Sequence, residues 1–397
     1  MNLKQFLKLK KISNADFAKN LNISPISLSR YIGGQRLPEK NILLKINDLT
    51  DGLVTPNDFY LFNEQELKLD SNKKKQIKNI AKNIKLGNRK YLGKAITIIE
   101  SSLKEDQIAA QFLLNEFRNN DNSIRIGITG VPGVGKSTFI ESLGLKLIEK
   151  GLRVAVLAID PSSKKSGGSI LGDKTRMEKL SVNPDAFIRP SPSDGHLGGV
   201  AKKTSESILC LEESNFDIIF VETMGVGQAE TAVYDMVDIF LLLLLPSGGD
   251  ELQGIKKGII ELADLIIVNK ADNDLKKRAE ITQREYKNAI SIKNNSSNKK
   301  IIDVLTCSSL ELIGFDRIWQ YIYKFIDERK KNQKFFANRQ LQLSKWMWNN
   351  VNLRTEEYIK KELKDKTFVK KIQNDVENNS LGIVDASNII FKYISKK

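Results

Sequence analysis

A chain of 397 residues, 41% of them hydrophobic, exceeds a single ordinary core and predicts two or three folded units. Its 63 lysines and arginines against 48 acids give a formal charge of +15, which admits nucleic acid, an anionic membrane surface or an acidic partner, and equally a solvated surface with no partner. Cys210 and Cys307 stand far apart in no metal-ligand or redox spacing, which argues against a disulfide scaffold and for a reducing compartment.

The first residues, MNLKQFLKLKK, lack the apolar run and cleavage site of a secretory signal. The most apolar run, 239–245, falls far short of the ~20 residues of a membrane span. A cytoplasmic protein with no membrane partner is expected.

Residues 1–61 read as a compact helical module. Ser13 is placed to N-cap a helix through Leu21, with Asp16 three residues on. Ser24 with Pro25 starts a second helix, and Gly33-Gly34 offers a left-handed residue to end it. Phe6, Phe17, Ala18, Leu21, Ile23, Leu28, Tyr31 and Ile32 form a plausible shared core. Residues 62–87 are polar and lysine-rich, suited to a linker or an exposed helix, and the domain boundary is placed there. Residues 88–120 show helical apolar spacing, a helical prelude to the strand-rich region.

From 121 to 330 the pattern becomes short unbroken apolar runs between helix-length polar segments: IRIGIT, RVAVLAI, DIIFVE, IFLLLLL, LIIVN and IIDVLT. Unbroken runs suit parallel strands covered on both faces, so the expected fold is α/β, a doubly wound, mostly parallel sheet of the P-loop NTPase kind. Residues 331–397 read as helices, with Trp346, Met347 and Val351 at near-helical spacing, forming an extra domain, a dimerisation arm or plain core packing.

GVPGVGKST, 130–138, succeeds a strand-like run and opens a helix-like segment, as a phosphate-binding loop must. The backbone of Gly130, Val131, Pro132, Gly133, Val134, Gly135, Lys136, Ser137 and Thr138 surrounds a preformed anion site at a helix N-terminus. Lys136 adds a charge at the β and γ phosphates, and Ser137 offers Mg²⁺ a hard oxygen. Asn269-Lys270-Ala271-Asp272 stands at the carboxyl end of a strand-like run, where ligands bind in such sheets. The Asp272 carboxylate accepts from the N1–H and N2 amino group of guanine, donors that adenine does not present there. Lys270 can lie over the base, Asn269 can tie loops together, and Ser308 and Ser309 can close the pocket with backbone N–H groups.

Asp160, Asp173 and Glu222, at strand ends or on a glycine-rich loop, can reach the metal directly or through water. Glu222 opens ETMGVGQ, whose glycines permit a mobile loop that brings Gln228 to the attacking water. The candidate catalytic residues are therefore Lys136, Glu222 and Gln228. The lone histidine, His196, reads as an exposed loop residue rather than a base.

Together these motifs resemble the methylmalonyl-CoA mutase-associated GTPases of the MeaB and ArgK type. The resemblance runs from residue 88 to the C-terminus through GNRKYLGKAITIIES, GVPGVGKSTFIESLG, VLAIDPSS, GGSILGDKTRM, FIRPSPSDGHLGGVA, VETMGVGQAE, GGDELQGIKKGIIELAD and NKAD. It implies a P-loop GTPase that takes GTP to GDP with Mg²⁺. It also implies a homodimer formed through the C-terminal helices, and a partner in adenosylcobalamin-dependent methylmalonyl-CoA mutase or a related acyl-CoA mutase, which it loads and protects. By motif position it puts Asp160, Asp173 and Glu222 near the metal and makes 248–258 a switch loop facing the mutase. His196 and Met224 depart from the usual residues without touching the phosphate or base motifs.

SNADFAKNLNISPISLSRYIGGQRLPEK is no part of that pattern and resembles a Cro or repressor-type helix-turn-helix. If 1–61 binds DNA, the recognition helix carries Ser27, Ser29 and Arg30 on its polar face; the alternative is a small bundle kept for protein contacts. Three functions remain: a mutase chaperone GTPase, a nucleotide-responsive DNA-binding regulator, and a nickel metallochaperone GTPase. One histidine and two isolated cysteines tell against the last.

Overall fold

The computed structural model describes residues 3–10, 12–33, 36–59, 69–117, 121–160, 177–192, 197–223, 229–246, 257–294, 302–363 and 366–395. Two compact units divide the chain, Met1–Ser71 and Asn72–Lys397.

In the first unit, α1 (Leu3–Lys10), α2 (Asn14–Asn20), α3 (Pro25–Ile32) and α4 (Lys40–Leu49) surround a core of Leu3, Phe6, Phe17, Ala18, Leu21, Leu28, Tyr31 and Ile46. Ile23 and Ile32 pack against it half-buried. Both expected caps form: the Ser13 hydroxyl accepts from Asp16 N–H and the Ser24 hydroxyl from Ser27 N–H, each at 3.1 Å. The helix end differs from expectation. Gly33 has φ −84°, so it is not left-handed, and Gly34 lies outside the described residues. A left-handed residue stands instead at Asn22, φ 57°, in the turn joining α2 to α3, where a short amide side chain tolerates that backbone.

The helix α5 (Ser71–Lys85) starts at the last residue of the first unit and otherwise belongs to the second, inside the stretch expected to be a linker or an exposed helix. It is amphipathic and buries Ile77, Ala81 and Ile84, because the lysines occupy one face and leave the apolar positions on the other. The helices α6 (Arg89–Glu100) and α7 (Lys104–Leu114) complete the prelude.

Seven strands then form one parallel sheet in the order β3-β2-β4-β1-β5-β6-β7. They are β1 (Ile124–Gly130), β2 (Val154–Asp160), β3 (Ala186–Pro192), β4 (Ile218–Glu222), β5 (Ile239–Leu244), β6 (Leu265–Val268) and β7 (Asp303–Thr306). Six were expected; β3, AFIRPSP, was not. Its two prolines fit only where no neighbour needs their missing N–H, and β3 is an edge strand. In β5 the residues Ile239, Leu241 and Leu243 enter one core and Leu242 and Leu244 the other, which explains an unbroken apolar run.

Between and after the strands lie α8 (Lys136–Glu149), α9 (Glu178–Val182), α10 (Leu197–Glu213), α11 (Ala229–Tyr234), α12 (Lys257–Leu262), α13 (Lys276–Asn294), α14 (Phe315–Lys331), α15 (Lys334–Glu362), α16 (Lys366–Glu377) and α17 (Ile383–Ser395). On the first face α14 buries Phe315, Ile318, Ile322 and Ile326 beside Phe139 of α8; on the second, α13 buries Ala279 and Tyr286. Among the described residues no helix is long and apolar enough to cross a membrane.

Candidate functional site

The loop between β1 and α8 turns where glycine is required. Gly130 has φ 153°, and a Cβ there would stand 2.5 Å from the Leu243 carbonyl oxygen of β5; Gly135 has φ 90°, and its Cβ would stand 2.9 Å from Asn269 Nδ2. Any side chain at either place would force the loop off its neighbours. Helix α8 starts at Lys136, so its free N–H groups open toward the loop's concavity.

Lys136 is only 8% exposed, and its ammonium donates to the carbonyl oxygens of Gly130 at 2.8 Å and Val131 at 3.3 Å. A buried ammonium held by neutral carbonyls can exchange them for phosphate oxygens at an electrostatic gain. The Ser137 hydroxyl donates to Glu222 Oε1 at 3.1 Å, where β4 ends. Beside it the buried Thr223 hydroxyl donates to Thr129 Oγ1 at 2.9 Å, tying the residue after β4 to the end of strand β1 before the loop. Asp160 ends β2 two positions beyond Ala158, which is the strand partner of Glu222, so it belongs to the same end of the sheet.

Asn269 joins this loop to the second motif. Its Nδ2 donates to the Val134 carbonyl at 2.9 Å, while its Oδ1 accepts from the Ser309 hydroxyl at 2.8 Å and the Cys307 thiol at 3.4 Å. Burial, with Asp272 adding its charge, pushes the Cys307 thiol up, so it stays a neutral donor. The Ser308 hydroxyl donates to Asp272 Oδ2 at 2.8 Å. Its backbone N–H is already given to the Ile313 carbonyl, so Ser308 offers the pocket its hydroxyl rather than the expected N–H. Lys270 adopts φ 57° between Asn269 and Asp272.

The family described as methylmalonyl Co-A mutase-associated GTPase MeaB matches residues 92–365. The chain belongs to this family. A GTPase-named protein of Caulobacter vibrioides is 54% identical over 275 residues, 69% of this chain and 84% of its own length. The mouse mitochondrial methylmalonic aciduria type A homolog is 42% identical over 317 residues, 77% of this chain and 76% of its own. The crystal structure of a LAO/AO transport system kinase aligns over 83% of this chain and 99% of its own, with a TM-score of 0.63 at 31% identity.

For this MeaB-family chain the structure brings 130–138, Glu222, Asn269, Asp272, Ser308 and Ser309 to one end of the sheet. Asp173, Gln228, His196 and most of 248–258 lie outside the described residues, as does the side chain of Asp160. Cys307, Thr129, Thr223 and Ser142, whose hydroxyl donates to the Ser309 carbonyl at 2.9 Å, also hold the site. No motif marks them, although their positions beside the loop and the strand ends were readable.

At the opposite end of the sheet lies a buried ionic network that no sequence motif announces. Arg339 of α15 forks onto Asp238 at 3.0 and 2.7 Å and reaches Glu212 at 3.2 Å. Arg125 of β1 makes a two-point contact with Glu212 at 2.8 and 2.8 Å. In the first unit, Ser29 and Arg30 of α3 are exposed, together with Ile26. Ser27 is half-buried, its hydroxyl 3.0 Å from Ser24 Oγ, so it belongs as much to the cap as to the polar face.

Proposed function

We propose that the chain binds GTP with Mg²⁺ at 130–138 and hydrolyses it. We further propose that it uses that cycle as the chaperone of an adenosylcobalamin-dependent acyl-CoA mutase, methylmalonyl-CoA mutase or a relative. The observation that carries the nucleotide reading is the bond from Asn269 Nδ2 to the Val134 carbonyl, which makes the phosphate loop and the base motif one unit. The family to which the chain belongs supports the partner, and it favours neither the metallochaperone nor the regulator reading of the GTPase unit.

In this reading the backbone N–H groups of 130–138, Pro132 excepted, cradle the phosphates, and Lys136 trades two carbonyls for phosphate oxygens. Asp272, held by Ser308, reads guanine, and Lys270 covers its face. A hydroxyl and a carboxylate 3.1 Å apart beside the loop are hard oxygen donors of the kind Mg²⁺ takes, so Ser137 and Glu222 would hold it, with Asp160 and Asp173 beyond. The ion, when bound, neutralises charge on the phosphates. Gln228 positions the attacking water. Titration with a fluorescent GTP analogue tests the base reading directly: GTP and GDP compete with it and ATP does not. Equal competition by ATP would remove Asp272 from its role.

The first unit supports a second function, binding of duplex DNA. α2 and α3 are joined by four residues, as in a helix-turn-helix, and α3 leaves Ile26, Ser29 and Arg30 outward. The full chain is expected to shift duplex DNA fragments in a salt-dependent way, with Arg30→Ala weakening the shift. An unshifted duplex at low salt would leave 1–61 as a module for protein contacts. A cytoplasmic homodimer completes the proposal.

A further inference from the structure

Away from the P-loop, a cavity of about 180 Å³ opens at the amino ends of the strands, between α11, α14 and α15. Its wall includes Asp238 just before β5, Asp264 just before β6, Arg329 in the last turn of α14, and Asn338 and Lys345 of α15. Most of its polar groups are already engaged. Asp238 is shared between Arg339 and the Arg125 N–H, Asp264 Oδ2 accepts from the Phe240 N–H at 2.8 Å, and Asp235 pairs with Lys345 at 2.5 Å.

Arg329 is the exception. Its guanidinium lies 5.4 Å from the Phe325 ring centre, its Nε is buried without a hydrogen-bond partner, and no carboxylate reaches it within ion-pair distance among the described residues. A buried guanidinium donor left unmatched is costly, so the cavity's outstanding demand is for an acceptor. Asn338, on the same wall, carries an amide that can donate alongside it.

We propose that this cavity is a second ligand site, distinct from the nucleotide site, which takes a small organic carboxylate on Arg329 and Asn338. The planar guanidinium fork matches a carboxylate in two-point contact. The nearby Asp235 and Asp264 repel a doubly charged oxyanion, so a monocarboxylate is preferred over phosphate. They also favour a ligand with a donor, such as a hydroxyl, at its other end.

The test is calorimetric titration of the full-length protein with acetate, glycolate and inorganic phosphate at constant ionic strength, with and without GDP. A ligand of four or five heavy atoms is limited to roughly millimolar or high micromolar binding, so the titration runs to about 20 mM. Saturable binding of glycolate and acetate that GDP leaves intact, weakened at least tenfold in Arg329→Gln, is the expected result. Asn338→Asp, which sets a fixed carboxylate against the site, should abolish it and serves if Arg329→Gln does not fold. Absence of saturable binding, displacement by GDP, tighter binding of phosphate, or equal binding by a folded variant would each overturn the proposal.

Discussion

Lys136 shows how much of the proposed nucleotide site rests on a single residue. Its ammonium is buried at the loop and donates to the Gly130 and Val131 carbonyls, where a bound phosphate would offer it charged oxygens instead. Lys136→Ala is expected to lower kcat/KM for GTP by at least about a hundredfold, because the lost charge acts most where phosphate charge develops, while the melting temperature stays within a few degrees. Steady-state hydrolysis beside a thermal melt checks both. Asp272→Asn exchanges a pure acceptor for an amide that can also donate, so preference should move from GTP toward xanthosine triphosphate by at least about tenfold, measured as a ratio of kcat/KM values. Unchanged preference would show that another group reads the base. These two residues were legible as candidates because the chemistry proposed for them demands fixed neighbours in sequence. Cys307 and Thr223 were not, since a buried thiol or hydroxyl supports the site through contacts that only the fold creates.

Among the elements, the strands were legible wherever burial on both faces left an unbroken apolar run, as in β5 and β6. β3 escaped because an edge strand is free to carry Arg189, Pro190 and Pro192. α5 was half-read: its lysines were plain, but Ile77, Ala81 and Ile84 gain meaning only once a surface exists for them to cover. α15 was read as a helix, yet its anchorage depends on Arg339, which meets Asp238 and Glu212 from more than a hundred residues away. Arg339→Met removes the cation and leaves two buried carboxylates undercompensated, a loss of about 3–5 kcal/mol in urea denaturation of the nucleotide-free protein.

α10 carries a pH dependence of its own. Burial raises the Glu206 carboxyl to about 7, with Lys202, Lys203 and Arg354 opposing the rise. A carboxyl raised on folding favours the protonated folded state. Its stabilising share is therefore present below the unfolded value near 4.5 and is lost as pH climbs toward 7. Glu206→Gln should equal the parent below the unfolded value of 4.5 and exceed it above about pH 7.5 by on the order of 1–3 kcal/mol, measured as denaturation midpoints from acid to mildly alkaline pH. A variant less stable at high pH would mean the carboxylate is held charged.

At the scale of the whole molecule, the chain combines a GTPase unit of the MeaB family with an N-terminal helical unit outside the matched 92–365. The last two helices pair through Phe368 and Tyr393, rings 4.6 Å apart, yet leave Ile383, Val384 and Phe391 more than 70% exposed. Such an apolar face supports the proposed pairing with a second copy, so Phe391→Asp should convert a dimer to a monomer in light scattering after gel filtration. Beyond assembly, the deciding question is what the proposed GTP cycle serves. GTP hydrolysis measured with and without purified methylmalonyl-CoA mutase answers it: a severalfold acceleration by the mutase, absent in Lys136→Ala, is expected. Hydrolysis that the mutase leaves unchanged would refute the chaperone role.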